Sequence, residues 1–417
     1  MAARQPPDLL MNCASACPTT RPTGIGASRI SPGAAFYLLA SITVTFLAGS
    51  SAPTPLYPLY QAKWGFSPIT ITVVFAVYAL GLLGALLIAG RLSDHIGRRP
   101  VLIVATLAHA STMLIFSTAS GVGDLLIARV IQGVSAGAAL AAVGAGMIDL
   151  DKARGTIANA ITPALGTATG GIASGLMVHF LPAPTHLVYW VLGMAFLAQA
   201  AGVAFMSETT TARPGALGSL MPRFSLPAAT RGPLLVAVPA LVAPWALAGF
   251  YGSLGPVLMR STFGLDSSLF GGLALFILTG SAAVSIFLLQ RYDAAIMTSV
   301  GASSLLAGVT VVMLALSYQS PAAFFLGTVV AGAGFGTSVQ GAIGIVVPFA
   351  PPSQRAGVLS VIFVVSYVAM GAPAVVAGYL VAHGRNISTS ARELGATVMV
   401  LAALALLGAL RSSGSST

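Results

Sequence analysis

The sequence predicts an all-α integral membrane protein: twelve transmembrane helices in two six-helix, pseudo-symmetric bundles. Three observations carry this. First, 56% of the 417 residues are hydrophobic and 7% are charged, against about 25% charged residues in a soluble domain. Second, apolar runs of the roughly 20 residues needed to cross a bilayer recur twelve times. Third, the longest internal hydrophilic stretch, 207–232, leaves six runs on either side, as two structural repeats require.

In chain order, residues 1–32 hold Pro6, Pro7, Pro18, Pro22 and Pro32 among Thr, Ser and Gly and read as a disordered tail. No signal peptide with a cleavage site is recognised, because the first apolar run starts late and is long. The apolar runs lie near 33–56, 68–90, 100–119, 123–148, 156–181, 185–206, 233–258, 267–290, 294–317, 321–347, 356–382 and 393–411. They divide the chain into a bundle over 33–206, a linker over 207–232, a second bundle over 233–411 and a short tail over 412–417. Pro53-Thr54-Pro55-Leu56-Tyr57 should break or kink the outer end of span 1. The cysteines, Cys13 and Cys17, both sit in the tail and cannot staple a core.

The net charge of +10 does not point to nucleic acid, since the basic residues are scattered between apolar runs rather than gathered on one face. Their distribution is a topology signal. With the N-terminus inside, the inner segments hold Arg4, Arg21, Arg29, Arg91, Arg98, Arg99, Lys152, Arg154, Arg213, Arg223, Arg231, Arg291, Arg355 and Arg411. The outer loops hold only Lys63, Arg260, Arg385 and Arg392. This bias places both termini in the cytoplasm of a cell with the protein in its inner membrane.

The most information-dense segment is the hairpin between spans 2 and 3. Gly90, Leu92, Asp94, Gly97, Arg98, Arg99 and Leu102 spell G-x-L-x-D-x-x-G-R-R-x-x-L. Gly90 allows close helix approach and Gly97 a tight turn. Asp94 can pair with Arg98 or face a helix N-terminus. The pattern resembles the loop signature of the major facilitator superfamily. That resemblance implies the major facilitator fold and a gate formed by Asp94, Arg98 and an acid at the inner end of span 4. Asp149 takes that place, with Asp151 as a rival.

Span 4 holds a second match, Arg129, Gln132, Gly133, Ala136 and Gly137, which resembles the antiporters of the same superfamily. Arg129 lies about 9 Å below the outer edge, where a charge costs about 2.5–3.5 kcal/mol on insertion scales. It needs a wet cavity or partners there, or it snorkels to the headgroups. Gln132 shares its face. Span 5 matches in part: Gly166, Gly170 and Gly171 fit the antiporter pattern, while Thr162 and Thr167 replace a glycine and the proline.

The resemblance also implies that spans 1, 4, 7 and 10 line a substrate cavity. On that basis Tyr37, Ser41 and Thr45 of span 1, Trp245 and Tyr251 of span 7 and Gln340 of span 10 are cavity candidates, joined by Asn159 of span 5 and Tyr367 of span 11. As a set they describe an apolar, aromatic space suited to a hydrophobic or weakly polar solute. Proton coupling requires a titratable group in the membrane. Asp124, near the outer mouth, is the candidate, while His109 reads as a buried, satisfied histidine.

The chain thus reads as a monomeric secondary transporter in a lipid bilayer, moving a small molecule by alternating access with protons as coupling ion, in the direction of efflux. The alternatives are a proton-linked uptake carrier for a small organic acid or sugar, in which Arg129 could hold a substrate carboxylate, and a non-transporting membrane sensor. No cofactor or metal is called for. Neither a Walker motif nor a nucleophile or metal-spaced cluster is present in the sequence, which argues against a pump driven by ATP within this chain and against an enzyme.

Overall fold

The computed structural model describes residues 30–222 and 224–414. The tail assigned to 1–32 therefore lies almost wholly outside the described residues, with both cysteines, as does the end of the tail assigned to 412–417. The described residues are helical with short turns and contain no strand. Helix α1, Pro32–Ser51, begins where the Ser31 hydroxyl accepts the Ala34 N–H at 3.3 Å with Pro32 at the first helical position. It does not end span 1. A single 3₁₀ turn at Thr54–Leu56 absorbs the Pro53/Pro55 break, and α2, Tyr57–Trp64, continues the span until Gly65 terminates it in a left-handed conformation.

The other spans are α3 (Pro68–Ala89), α5 (Arg98–Thr118), α6 (Val122–Leu150), α7 (Lys152–Phe180), α8 (Leu187–Ala204), α10 (Ala228–Phe263), α11 (Ser268–Leu289), α12 (Ala294–Tyr318), α13 (Pro321–Val346), α14 (Arg355–Ala382) and α15 (Ile387–Gly414). Two short helices, α4 (Leu92–Ile96) and α9 (Ala216–Ser219), lie in the hairpin and the linker. Among the described residues, twelve helical segments are long and apolar enough to span a membrane. Helices α7 and α10 start before their apolar runs, because Asp151 caps the first through the Arg154 N–H at 3.0 Å and Pro227 precedes the second.

Buried side chains fall into one cluster drawn from α1 through α8 and two drawn from α10 through α15. With no hydrophobic drive between helices in lipid, close approach depends on small residues. The α3–α6 contact shows this: a β-carbon at Gly133 would overlap the Tyr78 carbonyl, and one at Gly137 the Leu82 carbonyl.

Helices α3 with α14 and α7 with α11 pair across the two sets. At the end remote from the 90–99 hairpin the sets are tied together. The Thr54 hydroxyl donates to the Gly252 carbonyl at 2.9 Å, and His179 Nδ1 lies 3.1 Å from Ser267 Oγ. At the hairpin end the space between the two sets is bounded by Gly90, Arg91, Ser353, Gln354 and linker residues Pro222 and Ser225. Ser225 donates to Gln354 at 2.6 Å, which holds the end of the linker at this rim.

Candidate functional site: a central cavity and a charged hairpin

Two sites emerge: a knot of charge at the hairpin and a cavity between the two helix sets. In the hairpin, Gly97 has φ 103°, a backbone conformation that side chains resist, and this turns α4 into α5. Arg98 is thereby aimed inward and is 6% exposed. Its guanidinium binds Asp94, Asp149 at 3.3 Å and Ser93 at 2.6 Å. Asp94, Arg98 and Asp149 therefore meet, whereas Asp151 caps α7 and pairs with Arg154 at 3.6 Å. Arg99 points elsewhere and donates to the Ala204 carbonyl at 2.5 Å. Gly90 closes α3 and borders the cavity mouth.

A fourth member of the knot, Glu208, is not among the sequence candidates. Its carboxylate accepts the backbone N–H groups of Arg98 at 2.8 Å and Arg99 at 3.0 Å, the free donors that open α5. A β-carbon at Gly97 would stand 2.6 Å from Glu208 Oε2, so glycine is required for this contact as well as for the turn. Next to it, Thr209 donates to Asp149 at 3.2 Å. The readable signal is that Glu208 is the sole acid in the basic linker 207–232.

The linker continues onto the hairpin. The Arg213 N–H donates to the His95 carbonyl at 2.8 Å, and His95 Nδ1 meets the Pro214 carbonyl at 3.1 Å.

Arg129 is fully buried, which removes the snorkelling alternative. It donates to the Ser50 carbonyl at 2.8 Å, Gln132 Oε1 at 2.5 Å and the Tyr57 hydroxyl at 2.6 Å. The rings of Tyr57, Tyr78 and Phe116 surround it at 5.3–5.9 Å. Gln132 passes the connection on to the Gly49 carbonyl at 3.1 Å. Arg129 and Gln132 thus clamp α6 to the last turn of α1, just before the break, while Gly133 packs against α3; Arg129, Gln132 and Gly133 do not line the cavity. His109 sits beside it, Nδ1 2.9 Å from Ser135 Oγ, wedged between Phe46 and Phe196.

The cavity has a volume of about 1150 Å³. Of the residues singled out from the sequence, Asn159, Trp245, Gln340 and Tyr367 line it. Asn159 holds its place by donating to the Gly144 carbonyl at 3.0 Å. Trp245 packs on Tyr367 at 5.4 Å and edge-on to Phe335 at 5.7 Å.

Four cavity candidates lie elsewhere. Tyr37 is 70% exposed on the outer surface of the bundle. Ser41 and Thr45 donate back to carbonyls of α1 and receive the Gln199 amide of α8 at 3.2 and 2.8 Å. The polar stripe of α1 thus faces α8, and the opposite face, with Thr43, Ser50 and Ser51, looks into the cavity, as does Thr54 of the following turn. Tyr251 is buried against α13, its hydroxyl 2.9 Å from Thr328 Oγ1 and its ring stacked on Phe324.

Asp124 also lies outside the cavity. It occupies the first turn of α6 and accepts the Ser120 N–H at 2.7 Å and hydroxyl at 2.9 Å, which makes it a local tie. Lining residues absent from the sequence candidates include Phe75, Tyr78, Arg91 and Phe335. Among the described residues no group of three His, Cys, Asp or Glu side chains could hold a metal ion.

The model of the Major Facilitator Superfamily matches residues 39–374. The chain belongs to this superfamily. It is 29% identical over 349 residues to the multidrug resistance protein MdtL of Klebsiella pneumoniae subsp. pneumoniae, covering 78% of this chain and 83% of that one. It is 32% identical over 153 residues to the cephamycin export protein CmcT of Amycolatopsis lactamdurans, covering 34% of this chain and 31% of that one. A solved POT family transporter in complex with 5-aminolevulinic acid superposes with a TM-score of 0.70 at 13% identity, over 93% of this chain and 98% of that one. The fold is that of the major facilitators, and membership in the superfamily makes the chain a membrane-embedded transporter of a small molecule.

Proposed function

We propose that this transporter exports a hydrophobic or weakly polar small molecule from the cytoplasm in exchange for protons. One observation carries the reading: the cavity reaches the hairpin end and is sealed at the other by the Thr54–Gly252 and His179–Ser267 ties. With the hairpin in the cytoplasm, where the basic residues put it, this is a state loaded from inside. The relatives named for drug resistance and cephamycin export support the outward direction.

In this reading the two six-helix sets, joined by the linker, rock about the cavity. Asp94, Arg98, Asp149 and Glu208 shape the inner rim that must close when the outer ties part. The uptake alternative gave Arg129 a substrate carboxylate to hold. Its guanidinium is instead occupied by Ser50, Gln132 and Tyr57, so that alternative has lost its main support.

The test uses everted inner-membrane vesicles carrying the full chain, energised to an acid interior. Nile red, a neutral hydrophobic dye, is expected to accumulate and to dissipate part of the pH gradient. Asp94→Asn, present in the membrane at equal level, should lose both effects. Dye movement indifferent to the gradient would remove the proton coupling, and solute accumulation by intact cells would reverse the direction.

A further inference from the structure

The balance of charge around the cavity is one-sided. The chain has nine acidic residues, of which Asp8 lies outside the described residues. The other eight stand away from the cavity. Asp94, Asp149 and Glu208 belong to the hairpin knot, and Asp151 caps α7. Asp266 and Glu393 pair with Arg260 and Arg385, Asp124 ties Ser120, and Asp293 precedes α12.

Among the described residues, the charged side chain of the lining is a cation, Arg91, and its Nη1 is buried without a hydrogen-bond partner. A second cation, Arg129, stands behind the Ser50 and Tyr78 wall; its two terminal nitrogens donate to carbonyl, amide and hydroxyl oxygens, with no carboxylate among its partners. Deeper in the cavity, Trp245 Nε1 is a buried donor without an acceptor.

A solute entering this space loses water. An organic cation would need a carboxylate to replace it, and it would meet the field of two arginines instead. Aromatic walls attract cations through their faces, but Trp245 is already packed against Tyr367 and Phe335. Acceptor-bearing solutes face the opposite situation: Trp245 and Arg91 line the cavity, each with a buried N–H that has no partner, and a turn of either side chain toward the solute supplies one.

We propose that the cavity takes neutral or anionic aromatic solutes carrying hydrogen-bond acceptors and rejects organic cations, with Arg91 selecting the anions and Trp245 donating to the acceptor. This rests on the reading above that the cavity is the substrate site.

The test is equilibrium binding to the full chain in nanodiscs near pH 7, where carboxylic acids are ionised. Three water-soluble quenchers of one shape are compared: 4-nitrobenzamide, 4-nitrobenzoate and (4-nitrobenzyl)trimethylammonium. The signal is the tryptophan quenching lost on Trp245→Phe, which separates the cavity from Trp64 and Trp190. The amide and the carboxylate are expected to quench saturably, and the cation to bind at least tenfold more weakly. Arg91→Gln should weaken the carboxylate at least fivefold more than it weakens the amide; saturable quenching by the amide also reports that this variant is folded.

A cation that binds as tightly as the amide overturns the proposal, as does an absence of saturable quenching by all three. Charge-ordered binding without gradient-driven dye movement in vesicles would sink the export reading and keep this one. Gradient-driven movement with equal binding of the three probes would do the reverse.

Discussion

Arg129 shows how a membrane charge can be made structural. A guanidinium offers five donors in a rigid fork, and three acceptors from α1, the 57–64 segment and α6 converge on it. Hydrogen bonds to a charged group contribute about 1.5–3 kcal/mol each. Arg129→Met is expected to lower stability by about 2–4 kcal/mol, read as a drop in the melting temperature of the purified protein. Arg129→Lys should recover little, because an ammonium cannot reach all three acceptors in one plane. Asp124 belongs to the same scale. It binds Ser120 at the end of the bundle, so Asp124→Asn should leave the pH-gradient dependence of transport unchanged. A shifted dependence would return it to the coupling role. At the hairpin, Glu208→Gln keeps the shape but weakens the charge-assisted bonds to the first N–H groups of α5. A fall in transport of roughly threefold or more, with normal membrane levels, is the expected outcome.

At the level of elements, the contact between α3 and α6 depends on missing side chains. Gly133→Ala pushes a methyl group into the Tyr78 backbone, and overpacking of this kind costs about 1–3 kcal/mol. Gly84→Ala on α3 meets nothing within 4 Å, and helix propensity alone should make it neutral or slightly stabilising. A thermal melt of the two variants therefore separates packing from propensity; equal effects would refute the close-approach argument. Span 1 makes the complementary point. Its proline pair was readable as a break, yet the face it turns to the cavity was not. Ser41 and Thr45 advertise polarity, but their hydroxyls are consumed by α1 itself and by Gln199, a partner 154 residues or more away in the chain. A polar stripe reports that a helix has a polar neighbour, without saying whether that neighbour is solvent, substrate or another helix.

For the whole molecule, direction depends on which end is open and which side that end faces. Thr54→Cys with Gly252→Cys, in a background with Cys13 and Cys17 replaced by serine, puts two thiols across the sealed end. A short bifunctional thiol reagent should block transport there, and cleavage of its link should restore it; transport by the linked protein would exclude rocking about the cavity. Sidedness is a separate measurement. Arg154→Cys is expected to react with an impermeant maleimide only after cell lysis, and Arg385→Cys in intact cells. Labelling in the opposite pattern would invert the topology and with it the direction of export.

The amino-acid sequence by itself determined that the chain lives in lipid, that it crosses twelve times and that its hairpin carries the signature of the superfamily. These follow from composition, run length and residues close together in the chain, where local chemistry is enough. The tertiary structure decided the rest. It brought Glu208 to Arg98 across 110 positions, turned Tyr251 from the cavity into a packing contact with Thr328, and sealed Arg129 away from any solute. It also left Arg91 and Trp245 in the cavity lining with buried N–H groups that have no partner in the protein. The physical reason is the same in each case: a side chain's role depends on which surface its helix presents to which neighbour. That rotation is set by the packing of distant helices, and no short stretch of sequence encodes it.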